Sequence, residues 1–265
     1  MIVKANGISM NYEVNGRGEN LVLIHGLGDN LDMWYNQVPV FPKSFRVITY
    51  DVRGSGKTEI PKEDYSLTVL VEDAHELMKA IGAEKACLLG YSMGGRIAFE
   101  LAVKYPEMAK ALVLANSSVG LVARSPQATE RRRLNQELLE KGNIEKAAEN
   151  MTTGAFSPGF KSRSPAEFER YRKVKLQNRA EGIAQLMRSL TVPTPPPDLS
   201  RLKCSVLLVV GENDINMGVE QAKREQAALP GSKLVILPTG HASAVEMPQR
   251  FNQAVLEFLS QIRSK

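Results

Sequence analysis

Apolar positions along the chain fall into two rhythms. LVLIH (21–25), RVITYD (46–51), ACLLGY (86–91), ALVLAN (111–116), VLLVVG (206–211) and KLVILP (233–238) are apolar at nearly every residue. A strand with no polar side is covered on both faces, as parallel strands between helix layers are. Ile8, Met10, Tyr12 and Val14 alternate with polar neighbours instead, which predicts a half-exposed strand closed by the turn NGRGEN. The second rhythm is helical. Leu67, Leu70, Val71, Ala74, Leu77, Met78 and Ile81 make one stripe that stops at Gly82. Ile97, Ala98, Leu101, Ala102 and Tyr105 repeat it before Pro106, and Phe251, Val255, Phe258 and Ile262 do so after Pro248. Strands alternating with helices predict an α/β protein with a doubly wound, mostly parallel sheet.

The alternation breaks between residues 121 and 197. That span has helical patterns and no good strand; Ser164, Pro165 and Glu167 stand in a capping-box arrangement, and TVPTPPPD (191–198) reads as a stiff extended return. The expected organisation is a core of 1–120 and 198–265 carrying a helical insertion at 121–197.

Composition changes this picture little. With 265 residues, 43% hydrophobic and 24% charged, the chain can bury a full core. The N-terminus lacks a basic stretch followed by an apolar one, and no run of about 18 apolar residues occurs, so a soluble cytoplasmic protein without a membrane partner is expected. Cys87 and Cys204 each begin an apolar run and are expected to pack as small hydrophobes, with no disulfide or metal framework. Charge is more informative. The net +5 is uneven, because residues 121–203 hold 16 Lys and Arg against 9 Asp and Glu. The densest run, ERRRLNQ, is followed by Leu134, Leu138 and Leu139 at helical spacing, so a solvated helix face is expected there. Stacking aromatics are not interleaved with it, and no nucleic-acid partner is expected. A basic surface beside a pocket would favour anionic substrates.

Two glycine-rich stretches bear on chemistry. GSGKT (54–58) resembles a phosphate-binding loop, but the pattern G-x-x-x-x-G-K-[ST] puts its first glycine at position 51, which is Asp51. A proline three residues after Thr58 also stops any following helix. The second stretch is Gly90-Tyr91-Ser92-Met93-Gly94, a G-x-S-x-G lying directly between an apolar strand and an amphipathic helix. Glycines flank a serine where a strand turns abruptly into a helix, leaving the hydroxyl exposed near the helix N-terminus. A dinucleotide fingerprint is excluded there, since its second glycine is replaced by Ser92.

A serine needs a base. Of the three histidines, His75 lies inside a helical pattern, His25 ends the first apolar run, and His241 sits in a loop between the last strand and the last helix. Open α/β sheets place functional groups in such loops, so His241 is the expected base. Its orienting carboxylate is Glu212 or Asp214, both just after a buried strand; Asp214, beyond the turn, is preferred, and Asn116 carries no charge.

The order serine, aspartate, histidine is that of the α/β-hydrolases. The chain resembles that family along nearly its whole length, through HGLG (25–28), DVRGSGKT (51–58), GYSMGG (90–95), GEND (211–214) and GHASAVEMP (240–248). The resemblance implies that Asp51 and Arg53 brace the loop after a strand and that Lys57 is incidental. It also implies an oxyanion hole from the backbone N–H groups of Leu27 and Met93, each such donor lowering the barrier by roughly 3 kcal/mol. Residues 121–197 match the family's helical cap, which covers the pocket and sets substrate choice. The implied activity is hydrolysis of a small carboxylic ester or lactone through an acyl-enzyme, with no metal or organic cofactor. Carbon–carbon bond hydrolases, thioesterases and cofactor-free perhydrolases share the triad, and a ligand-sensing protein shares the fold. Likeness to enol-lactonases is partial, since those often carry serine at the position of Gly26. Candidate pocket residues are His25, Trp34, Phe156, Phe160, Met187 and Met217.

Overall fold

The computed structural model describes residues 1–121 and 125–263. Eight strands form one sheet: β1 (Ile2–Ala5), β2 (Ile8–Asn15), β3 (Glu19–Ile24), β4 (Phe45–Tyr50), β5 (Ala86–Tyr91), β6 (Ala109–Ala115), β7 (Ser205–Gly211) and β8 (Lys233–Leu237), in the order β1-β2-β4-β3-β5-β6-β7-β8. β3 to β8 are parallel, and β2 joins β4 antiparallel with β1 at the edge. The apolar runs thus become the parallel strands and the alternating segment becomes β2. β1, only four residues and half exposed, carries no periodic signal.

Residues of opposite parity within a strand serve opposite faces. Val22, Ile24, Leu88, Leu112 and Leu114 pack with α1 (Leu67–Ala80) and α2 (Met93–Lys104). Leu21, Leu23, Cys87, Leu89 and Val113 pack on the other side with Trp34 and with α10 (Pro248–Arg263), through Phe251, Val255, Phe258 and Leu259. Between β6 and β7 lie α3 (Pro126–Glu140), α4 (Ile144–Thr153), α5 (Phe160–Arg163), α6 (Pro165–Leu176) and α7 (Ala180–Ser189). The stretch expected as an insertion includes residues 122–124, which lie outside the described residues. α8 (Val219–Ala228) joins β7 to β8, and the short α9 (Ser243–Glu246) precedes α10.

Two local expectations are corrected. Ser164 makes no capping hydrogen bond at the start of α6; Glu167 instead accepts from the Tyr35 hydroxyl at 2.7 Å, so tertiary pairing displaces the capping box. In α3 only Arg133 of the three consecutive arginines is exposed, paired with Glu130 and Glu137, while Leu134 is also exposed. The face toward the body carries Ala128, Arg131, Arg132, Asn135 and Leu139, so this helix is not amphipathic in the apolar sense.

The chain leaves β3 toward β4 on one side and β5 on the other. This topological switch point brings the loop after β3 beside the loop after β5, the place where open α/β sheets bind ligands.

Candidate active site

Ser92 occupies the turn from β5 into α2 with φ 52° and ψ −114°, a left-handed backbone that non-glycine residues adopt only when their surroundings enforce it. The enforcement is steric room and hydrogen bonding. A Cβ on Gly94 would fall on the carbonyl oxygens of Ile24 and His25, and one on Gly95 would fall on the Ser117 side chain. Ser92 N–H donates to Ala115 O at 2.9 Å, and its carbonyl accepts from Ser117 Oγ at 2.6 Å. The turn is therefore held from β3 and from the end of β6.

Ser92 Oγ lies 2.8 Å from His241 Nε2, and His241 Nδ1 lies 2.7 Å from Asp214 Oδ2. The Asp214 side chain is fully buried, a position that a carboxylate holds only when its lone pairs are met. They are met completely: Oδ1 accepts from the N–H groups of Asn216 at 2.8 Å and Met217 at 3.0 Å, and Oδ2 also accepts from Asn116 Nδ2 at 3.1 Å. Because that carboxylate is acceptor-only, His241 Nδ1 carries the proton, and Nε2 is left as an acceptor for the serine hydroxyl. Glu212, the alternative, is exposed. Asn116, uncharged, nevertheless serves the site as a donor to Asp214, and its own φ of 49° reflects that placement. The His241 loop is fixed in turn: Glu246 accepts from Gly240 N–H at 2.8 Å and Ser157 N–H at 3.1 Å, and Ala242 N–H donates to Ala155 O at 2.7 Å.

Leu27 and Met93 both line the cavity above Ser92, and among the described residues neither backbone N–H has an acceptor. Met93 is the first residue of α2, where N–H groups point outward with the positive end of the helix dipole. The Leu27 loop is held from two directions. From the sheet, Asp51 accepts from Leu31 N–H, Lys57 N–H and Asn11 Nδ2, each at 2.8 Å, while Arg53 pairs with Asp73 at 2.6 Å. GSGKT is thus a turn wrapped on Asp51, and Lys57 is exposed. From α6 and the turn that follows it, Lys175 Nζ meets Asp29 at 2.5 Å, Tyr171 donates to Asp29 at 3.0 Å, and Asn178 Nδ2 donates to Gly28 O at 2.9 Å. Those contacts link residues more than a hundred positions apart and leave no local pattern to read.

The candidate pocket residues separate. Met187 lines the cavity of about 170 Å³ that contains Ser92 and His241. Met217 lines a second cleft of about 350 Å³, entered from the same two side chains and reaching Asn116, Ser117 and Gln221. The other four do not line either. His25 is fully buried: its Nε2 accepts from Val52 N–H at 2.9 Å and its Nδ1–H donates to Gly26 O at 2.8 Å, tying two loops together. Burial drives its pKa down, in keeping with a neutral imidazole that has both nitrogens engaged. Trp34 is core, fully buried. Phe156 and Phe160 stack on each other at 4.1 Å beneath the His241 loop and line a separate surface recess. Aromatic bulk drew all three into packing.

Cys87 is buried and Cys204 half-buried, both free, with burial pushing the Cys204 thiol up to about 11. Among the described residues, no three His, Cys, Asp or Glu side chains cluster as a metal site, and no helix is long and apolar enough to cross a membrane.

Comparison with known proteins places this geometry in context. Residues 19–248 match the model of the alpha/beta hydrolase fold. The chain is 31% identical over 253 residues to 3-oxoadipate enol-lactonase 2 of Acinetobacter baylyi, covering 95% of this chain and 93% of that one. Among solved structures, it is similar to a thermophilic esterase from Thermogutta terrifontis (TM-score 0.89, 28% identity, 99% of each chain). It is equally similar in shape to the enol-lactonase from Burkholderia xenovorans LB400 (TM-score 0.89, 26% identity, 98% of this chain and 100% of that one).

Proposed function

The chain belongs to the α/β-hydrolase fold family, and from that premise we propose that it is a serine hydrolase cleaving a small carboxylic ester or lactone. The observation that carries this reading is the unbroken hydrogen-bonded line from Ser92 Oγ through His241 to the buried Asp214 carboxylate. In the proposed cycle the substrate carbonyl is attacked by Ser92 Oγ while His241 Nε2 takes the hydroxyl proton. The tetrahedral oxyanion is met by the N–H groups of Leu27 and Met93. Return of the proton to the leaving alcohol oxygen gives the acyl-enzyme, and a water deprotonated by His241 then hydrolyses it. Asp214 keeps the imidazole in the needed tautomer and stabilises its cationic form.

The two clefts that meet at Ser92 suit the two halves of an ester, or the ring and its substituent in a lactone. Helices α3, α4, α6 and α7 line the first of them, which supports reading 121–197 as the cap that sets substrate choice. The similarity to esterases and enol-lactonases supports the same bond type. The test is Ser92→Ala on p-nitrophenyl acetate, with fluorophosphonate labelling of the parent protein. Loss of at least a thousandfold in kcat and loss of labelling are expected. Activity near that of the parent protein sinks the proposal. Thioesters and carbon–carbon substrates run in the same panel test the other reactions open to this triad.

A further inference from the structure

The cavity above Ser92 is unusually cationic for so small a space. Ala128, Arg131, Arg132 and Asn135 share one face of α3 and all line it, together with Lys175. Lys175 is neutralised by Asp29. Arg131 and Arg132 are not neutralised: among the described residues no carboxylate pairs with either, whereas their neighbour Arg133 has two. Their partners are neutral. Arg131 Nη2 donates to Ile215 O at 2.9 Å and Asn216 Oδ1 at 3.2 Å, and Arg132 Nη2 donates to Met187 O. Both guanidiniums are therefore positioned before any ligand arrives.

A second, independent observation concerns hydrogen bonding. Arg132 Nε is buried with no acceptor, and Asn135 Oδ1 is buried with no donor. Neither atom is open to the cavity; they show only that the protein leaves part of the hydrogen-bonding capacity of these two side chains unused.

Building on the hydrolase reading above, we propose that the substrate carries a carboxylate, bound by the Arg131 and Arg132 guanidiniums with Asn135, in addition to the ester or lactone carbonyl at Ser92. A guanidinium fork matches a planar carboxylate through parallel N–H donors, and two uncompensated cations favour the anion over a neutral isostere. A cavity of about 170 Å³ is close to one of about 150 Å³ that holds a benzene molecule. Ser92 and both arginines line this one small cavity, which suits a short spacer between carboxylate and carbonyl, as in the half-ester of a short dicarboxylic acid or a carboxylated lactone.

The test compares mono-ethyl glutarate with ethyl valerate, acid release being followed in a pH-stat. In the parent protein kcat/KM is expected to favour the anionic ester at least tenfold. Arg131→Gln and Arg132→Gln are each expected to lower that ratio at least fivefold, a readout that cancels any general loss of active protein. Glutarate is also expected to inhibit the parent protein competitively, with glutaramide inert, which requires no variant to fold. A ratio near one in the parent protein overturns the proposal, as does a ratio unmoved by either substitution in protein that still labels with fluorophosphonate. Should neither ester be turned over and no labelling occur, the hydrolase reading is what fails. Calorimetric titration of glutarate then decides the cationic site alone: binding that is weakened by Arg132→Gln supports it, and no binding overturns it.

Discussion

The ion pair between Lys175 and Asp29 allows a prediction that separates a structural link from an incidental contact. Lys175 comes from α6, and Asp29 lies two residues after Leu27. The charged atoms are 2.5 Å apart, with side-chain exposures of 3% and 0%. Among the described residues, the Asp29 carboxylate has one further hydrogen-bond partner, the Tyr171 hydroxyl. Replacing Lys175 with methionine keeps the aliphatic bulk and removes the cation, leaving a buried carboxylate with a single neutral donor. Breaking a buried pair from one side costs roughly 3–5 kcal/mol. With about 2.1 cal/mol/K of unfolding entropy per residue across 265 residues, Tm is expected to fall by roughly 5–9 °C.

The double variant Lys175→Met with Asp29→Leu decides the cause. Removing both charges together is near neutral for a well-packed pair, less the roughly 1–3 kcal/mol for a Tyr171 hydroxyl that loses its carboxylate acceptor and keeps only its hydrogen bond with Tyr91. The double variant should therefore be more stable than Lys175→Met alone, although it carries one substitution more. Calorimetric unfolding of the parent, both singles and the double gives the coupling directly. Additive losses, or a Lys175→Met Tm within a degree of the parent, would refute the reasoning. Activity follows the same link. If Asp29 holds the Leu27 N–H in place, Lys175→Met lowers kcat by about a hundredfold or more, the cost of losing an oxyanion donor.

Two other expectations concern burial and space. His25 has its pKa lowered by burial, so below its ordinary value of about 6.5 the unfolded chain takes a proton that the folded chain refuses. Stability is then lost as pH falls from about 6.5 toward the folded-state value, by up to about 1.4 kcal/mol per unit, with no contribution from this group above that range. Tm measured from pH 8 to 5 should show this slope, and His25→Gln should flatten it; equal slopes count against the assignment. Gly94→Ala drives a methyl onto the Ile24 and His25 carbonyl oxygens, which forces α2 away from β3. Activity should fall at least a hundredfold through displaced Ser92 and Met93, and a variant with unchanged kcat rules out the close approach.

How much of this was legible in the sequence depended on the range of the interaction. Parallel strands announce themselves because each residue of Leu21–Ile24 or Leu112–Ala115 is buried on one face or the other. α1 and α10 do so because one stripe meets the core. The pattern fails where a buried face is not apolar. α8 buries Ala222 and Glu225, the latter accepting from Ser118 and from Val119 N–H, and shows no stripe. The residues that form the hydrogen-bonded line Ser92–His241–Asp214 were open to selection, because a glycine-flanked serine limits the candidate nucleophile and three histidines limit the candidate base. Its support was not. Asn116, Glu246, Tyr171 and Lys175 act through partners that only the folded chain brings near.

The same distinction explains the one misjudged face. An arginine run followed by leucines satisfies the rule for a solvated helix, because that rule assumes that cations seek water and leucines seek the core. In α3 the assumption reverses at three positions: Leu134 is exposed while Arg131 and Arg132 face a cavity. Half-burying two cations that have no carboxylate partner while exposing a leucine gains nothing in folding, so this arrangement has no rationale in folding alone. It has one in recognition, where the missing anion arrives with the ligand. A departure from the folding rules that is confined to the walls of a cavity therefore points to what the cavity holds.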